Sequence, residues 1–304
     1  MNIIGILGAG AMGSGIAQVA AAAGHPVVLC DQFTISLSKA GKSIKASLQA
    51  LKERGKISAE DADLLYSRIK FTDQMSEFRH CAIVIEAIQE DIEQKQIAFK
   101  SLEAILEETA IIASNTSSLS ISAMGAQLRH PERILGVHFF NPAPMMRLVE
   151  IIPALQTDPE VIERGKQLIA SWGKVTVLAK DTPGFIVNRV ARPYYGEALR
   201  ILDEGIADIA TIDWAMRDLA GFRMGPFELM DFIGNDINYA VTEVVFQNFY
   251  FDPRYKPSFT QKNLVDAHFF GRKTSRGFYD YRDGAIKPEP VKNETLGAEV
   301  ANRI

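Results

Sequence analysis

Residues 3–31 read IIGILGAGAMGSGIAQVAAAAGHPVVLCD: a short apolar run, a glycine turn, apolar residues at helical spacing, a second apolar run and an aspartate. Strand, glycine turn, helix, strand and acid in that order are the parts of a dinucleotide-binding βαβ unit. In Gly8-Ala9-Gly10-Ala11-Met12-Gly13, Gly8 permits the tight turn, Gly10 lets the main chain approach a pyrophosphate, and Gly13 lets the helix lie close on the strand. The pyrophosphate then meets the open N–H groups and positive dipole end of a helix N-terminus. A glycine pattern alone is weak, because such turns occur widely. Here Ile3–Leu7 precedes it, Met12, Ile16, Val19, Ala20 and Ala23 follow at helical spacing, and Val27–Cys30 leads into Asp31. Asp31 stands 23 residues after Gly8, where a carboxylate takes the adenosine ribose hydroxyls. It repels a 2′-phosphate, and no arginine follows in residues 32–37, so the expected cofactor is NAD rather than NADP.

At 304 residues the chain exceeds one comfortable core, so two domains are expected. With 47% hydrophobic and 23% charged residues it has an ordinary globular composition. A net charge of −4 without a basic run gives no reason to expect nucleic acid. No apolar run approaches the roughly 20 residues that span a bilayer, and the N-terminus enters the first strand without a signal or transit pattern, so the expected location is the cytoplasm. Two cysteines, Cys30 ending one predicted strand and Cys81 ahead of another, suit a reducing compartment and read as small core residues. No metal site is expected.

Beyond Asp31, two helical stretches at residues 36–54 and 59–65 form an insertion before a strand at 69–72. Strands at 82–86, 110–114, 134–139, 148–152 and 175–178 then alternate with helices at 91–106, near Ile121, and at 159–171. That alternation predicts a mostly parallel, doubly wound Rossmann-type sheet covered on both faces. The pattern changes at Asp181-Thr182-Pro183-Gly184. Beyond it, apolar residues recur at helical spacing through 185–202, 209–219 and 226–251. The expected division is an α/β nucleotide-binding domain at 1–182, a smaller all-α substrate and dimerisation domain at 183–282, and a polar tail at 283–304.

Further motifs stand in order along the chain: Ser114-Asn115-Thr116-Ser117-Ser118 after a strand, His138-Phe139-Phe140-Asn141-Pro142 ending one, Glu150 in the next, Pro183-Gly184-Phe185-Ile186-Val187-Asn188-Arg189 opening the second domain, and Gly271-Arg272-Lys273-Thr274 near the end. With the glycine turn, they make residues 1–282 resemble the NAD-dependent 3-hydroxyacyl-CoA dehydrogenases. The resemblance implies interconversion of (S)-3-hydroxyacyl-CoA and 3-oxoacyl-CoA with NAD, in fatty-acid or aromatic and dicarboxylic acid breakdown, by a homodimer.

An imidazole titrates near neutrality, which suits His138 to take the hydroxyl proton as hydride leaves the carbon. Glu150, 12 residues on, is placed to hold one ring nitrogen and stabilise the imidazolium. The family's catalytic pair falls on these two positions. Ser117 and Asn188 match its substrate-contacting serine and asparagine, giving hydrogen bonds at the reacting oxygen and the thioester carbonyl. By themselves they read equally as a turn residue and a polar contact at a helix start. The resemblance also places Glu90, Lys95, Asn141 and Lys273 near NAD. It gives coenzyme A Ser47 and, where a lysine is often found, Arg54. Lys52, Arg54 and Lys56 also fit a solvated helix face. Gly234-Asn235-Asp236 replaces a Gly-Leu-Asp of many relatives and resembles the branch acting in phenylacetate breakdown, with 3-hydroxyadipyl-CoA as a substrate. Arg147 is a candidate for that distal carboxylate. Two other readings keep the fold: a sugar-acid dehydrogenase of the L-gulonate 3-dehydrogenase kind, and a non-catalytic dinucleotide sensor or structural protein.

Overall fold

The short apolar runs become eight strands of one sheet in a computed structural model that describes residues 2–292. The described residues divide into two units, with the boundary between Ile186 and Val187.

The first unit runs β1 (Ile3–Leu7), α1 (Ala11–Ala22), β2 (Val27–Cys30), α2 (Thr34–Glu53), α3 (Ala59–Ser67), β3 (Ile69–Thr72), β4 (Cys81–Glu86), α4 (Ile92–Ile105), β5 (Ile111–Ser114), α5 (Ile121–Gly125), β6 (Ile134–Phe139), β7 (Leu148–Pro153), α6 (Pro159–Ser171) and β8 (Val175–Leu178). Four of these helices start where their sequences signal it. The side chains of Ser58, Asp91, Ser120 and Asp158 each accept a main-chain N–H of the first turn. The strand order is β3-β2-β1-β4-β5-β6-β7-β8, parallel throughout except for the antiparallel pair β6–β7. The chain reverses its winding between β1 and β4, and the carboxyl ends of those strands open the crevice where such sheets bind ligands.

Successive strand residues point to opposite faces, so each strand feeds two cores. Ile4, Ile6, Val27, Leu29, Ile83 and Ile85 pack with Ile16 and Ala20 of α1 and Ile44 and Leu48 of α2. Val28, Val84, Ile112 and Ile134 pack with Phe99 and Leu102 of α4 and Met124 of α5 on the other face. Cys81 is the first residue of β4 rather than a residue ahead of it. Burial pushes the Cys30 thiol up to about 11 and the Cys81 thiol up to about 12, so both serve as core residues. Ala23, expected on the apolar face, caps α1 and is exposed.

The second unit contains α7 (Val187–Asp203), α8 (Ile209–Trp214) running into a single π-helical turn (Ala215–Leu219), α9 (Pro226–Ile233), α10 (Asn235–Asn248) and α11 (Phe259–Asp266). Tyr195, Leu199, Ile212, Phe227, Met230 and Tyr279 form its core. Two stretches depart from the expected continuous helices. Phe185 turns at φ 48° into the core of the first unit, so helix begins only at Val187. Residues 226–251 break at Gly234, whose φ of 106° no helix accommodates. Of the expected tail, residues 293–304 lie outside the described residues. Among the described residues, no helix is long and apolar enough to cross a membrane.

Candidate active site

The glycine turn sits between β1 and α1, and each glycine meets a distinct steric demand. Gly8 has φ 104°, and a Cβ there would lie 2.6 Å from the Ala87 carbonyl oxygen. A Cβ on Gly13 would lie 1.8 Å from the Gly8 oxygen, so helix and turn touch through main-chain atoms. A Cβ on Gly10 would meet nothing within 4 Å. The space beside it opens into a cavity of about 540 Å³ lined by Gly8, Gly10, Asp31, Phe33, Ala87 and Ile88, among others. Asp31 Oδ2 accepts from Ala9 N at 2.8 Å and Oδ1 from Phe33 N at 2.9 Å, which fixes the carboxylate at the end of β2. Among the described residues, the cavity lining includes Asp31 and Asp73 but no Lys or Arg. It therefore fits the adenosine half of NAD and opposes a 2′-phosphate.

At the far end of the sheet, antiparallel pairing sets His138 directly opposite Glu150. His138 Nδ1–H donates to Glu150 Oε2 at 2.7 Å, and both side chains are buried. Glu150 Oε1 accepts from Ile186 N at 2.9 Å. The imidazole is flanked by Phe140 and Phe185, with ring centroids at 4.5 and 5.6 Å. A carboxylate on Nδ1 selects the tautomer whose lone pair lies on Nε2, which makes Nε2 the base.

The loop after β5 is tied down from two sides. Asn115 Oδ1 accepts from Phe139 N at 2.8 Å, joining this loop to the end of β6 beside His138. Glu90 Oε1 accepts from the Thr116 hydroxyl, from Ser117 N at 3.1 Å and from the Ser118 hydroxyl at 3.3 Å. Burial works against the Glu90 charge, but the Lys95 ammonium and these donors outweigh it and hold the carboxyl below its ordinary range. Lys95 is 1% exposed, and its Nζ contacts Glu86 Oε1 at 2.6 Å and Glu90 Oε2 at 3.2 Å. The Lys95 ammonium is thus paired with two carboxylates. Sequence reasoning misses Glu86 as a site residue, although a buried acid closing an apolar strand leaves a visible signal.

Asn141 is exposed beyond β6. Ser47 on α2 accepts from Gln18 Nε2 at 3.1 Å, and exposed Arg54 caps the same helix seven residues on, two turns along one face. In the second unit, Asn188 occupies the first turn of α7, and its carbonyl accepts from Arg192 Nε at 3.3 Å. Lys273 pairs with Asp236, Nζ to Oδ1 at 2.6 Å. Asn235 of the variant Gly-Asn-Asp is fully buried and donates to Asp231 Oδ1 at 2.8 Å. Asp231 also accepts from Phe278 N and Tyr279 N, each at 2.9 Å, so Asn235 belongs to the unit's own polar core.

A family model described as 3-hydroxyacyl-CoA dehydrogenase, NAD binding domain, matches residues 3–182, and its C-terminal domain matches residues 184–281. The chain belongs to the 3-hydroxyacyl-CoA dehydrogenase family. A 3-hydroxyadipyl-CoA dehydrogenase of Escherichia coli is 45% identical over 282 residues, which is 93% of this chain and 59% of that protein. A 3-hydroxybutyryl-CoA dehydrogenase of Bradyrhizobium diazoefficiens is 40% identical over 95% of this chain and 98% of its own length. The crystal structure of a 3-hydroxybutyryl-CoA dehydrogenase from Escherichia coli superposes with a TM-score of 0.90 at 43% identity, covering 96% of this chain and 62% of that one. The chain thus spans about three fifths of the length of the two Escherichia coli relatives and nearly all of the Bradyrhizobium one. Its first unit is the NAD-binding domain of the 3-hydroxyacyl-CoA dehydrogenase family.

Proposed function

We propose that this chain interconverts (S)-3-hydroxyacyl-CoA and 3-oxoacyl-CoA, and the His138–Glu150 pair at 2.7 Å carries the reading. Bound NAD supplies the hydride acceptor or donor for C3 of the acyl group. His138 Nε2 removes the hydroxyl proton in oxidation and returns it in reduction. Glu150 fixes the tautomer and balances the imidazolium charge in a water-poor setting, where a paired charge is most effective. Ser117 donates to the reacting oxygen, and Asn188 is assigned to the substrate on the family match at that position. Ser47 and Arg54, on one face of α2, are the proposed contacts for coenzyme A. The acyl groups of the relatives suggest 3-hydroxybutyryl-CoA and 3-hydroxyadipyl-CoA as substrates, with exposed Arg147 before β7 offered to a distal carboxylate. Exposed Val190, Leu219, Phe222 and Phe259 in the second unit support a homodimer. We place the protein in the cytoplasm, with phenylacetate and related acid breakdown as its setting.

The test follows NADH loss with acetoacetyl-CoA against free acetoacetate, with NADPH as the cofactor control and His138→Gln as the catalytic control. Turnover only with the thioester and NADH, lost in the variant, is the expected result. Tight NADH binding without turnover of either compound would overturn it in favour of a sugar-acid dehydrogenase or a non-catalytic sensor.

A further inference from the structure

β4 is apolar from Cys81 to Ile85 and ends on Glu86, a carboxylate with no exposed surface. Both of its oxygens are engaged: Oε1 accepts from Lys95 Nζ at 2.6 Å and Ile88 N at 2.7 Å, and Oε2 from Ser114 Oγ at 2.7 Å. Burial pushes the Glu86 carboxyl up, and the Lys95 ammonium, the Ser114 hydroxyl and the Ile88 amide pull against it. A buried ammonium and carboxylate are weak stabilisers, because desolvation consumes most of what their attraction returns. Their geometric effect is larger. Held by Glu86 on one side, Lys95 reaches Glu90 on the other, and Glu90 grips three donors of the loop that carries Ser117. We infer that Glu86 is a positioning residue for the reaction: through Lys95 and Glu90 it fixes the Ser117 main chain and so places the Ser117 hydroxyl.

This inference rests on the proposed role of Ser117 at the reacting oxygen. Glu86 acts through these two charged groups, and its bond to Ser114 Oγ, which accepts from Thr116 N at 3.2 Å, steadies the start of the same loop. A displacement of Ser117 by a fraction of an ångström weakens alignment in the transition state more than binding of the ground state. The effect therefore falls on kcat rather than on KM.

The experiment is a double-mutant cycle of Glu86→Gln with Ser117→Ala, reading kcat and KM for acetoacetyl-CoA together with NADH affinity. With Ser117 present, Glu86→Gln is expected to lower kcat about 10-fold with KM and NADH affinity nearly unchanged. With Ser117→Ala in place, the same change is expected to alter kcat by less than about twofold, because nothing is left to position. An equal loss in both backgrounds overturns the inference while leaving the proposed function standing. Wild-type kcat in Ser117→Ala overturns the role of Ser117 and the inference with it. Should Glu86→Gln not fold, Thr116→Val, which removes the hydroxyl bond to Glu90 at the other end of the relay, is run through the same cycle. Equal losses in both backgrounds again refute the positioning role.

Discussion

One methyl group, added at either of two glycines in the same turn, separates what the cofactor requires from what the fold requires. Gly10 sits at φ −70° and ψ −171°, a conformation any residue adopts, and its added Cβ would touch nothing within 4 Å. Gly10 is also the N-cap of α1, where alanine is poorer than glycine by about 1 kcal/mol. Restricting the unfolded chain returns about 0.4–1 kcal/mol. Gly10→Ala should therefore leave the melting temperature within about 4 °C of wild type. Its methyl, however, enters the space assigned to the pyrophosphate, so NADH affinity should fall at least about tenfold, or about 1.4 kcal/mol. Gly13→Ala differs in kind. Its methyl would stand 1.8 Å from the Gly8 oxygen, and moving helix from turn costs about 1–3 kcal/mol or more. That variant should lose stability and NADH binding together. Thermal melts without cofactor and fluorescence titration with NADH decide both points. Near wild-type NADH affinity in Gly10→Ala would remove the pyrophosphate from that space, and a fully stable Gly13→Ala would refute the main-chain contact.

Glu150→Gln keeps an acceptor for Ile186 N but removes the charge facing His138. A charge-assisted bond is worth about 1.5–3 kcal/mol, so kcat should fall about 10- to 150-fold, and a kcat within twofold of wild type would contradict the pairing. Burial opposes the charge on Glu103, yet the Arg129 and His130 amides and the Arg133 guanidinium hold its carboxyl below the ordinary 4.5. Its stabilising contribution is then complete above that value and lost as pH falls through the lower folded one. The melting-temperature gap between wild type and Glu103→Gln should accordingly close on acidification, and a constant gap would count against it.

How much can be read from the sequence depends on how local the causes are. The βαβ unit is specified within residues 3–31 by period, glycine and acid, and the structure places each part where its local chemistry requires. His138 and Glu150 are legible because each sits in a short apolar strand with few residues between them. The burial and ion pairs of Lys95 are not legible, because its neighbours at the helix start are polar and only the tertiary approach of β4 and the loop after β5 encloses its ammonium. Phe185 and Gly234 interrupt helical patterns that continue in hydropathy. Their backbone angles depend on packing and on the conformation of the chain beyond them, which spacing alone does not encode. The amide of Asn235 bonds inside its own unit, to Asp231 Oδ1 and the Phe269 carbonyl, which only the folded unit reveals.

The antiparallel register of β6 and β7 sets how this protein would fail under heat. A proton donor and its anchor on adjoining strands of a sheet interior cannot drift apart by loop fraying. They separate only when the ladder from Leu135–Pro153 to Phe139–Val149 opens. Inactivation and cooperative melting of this unit should then follow a single curve, with no partly melted species that keeps its sheet yet has lost the base.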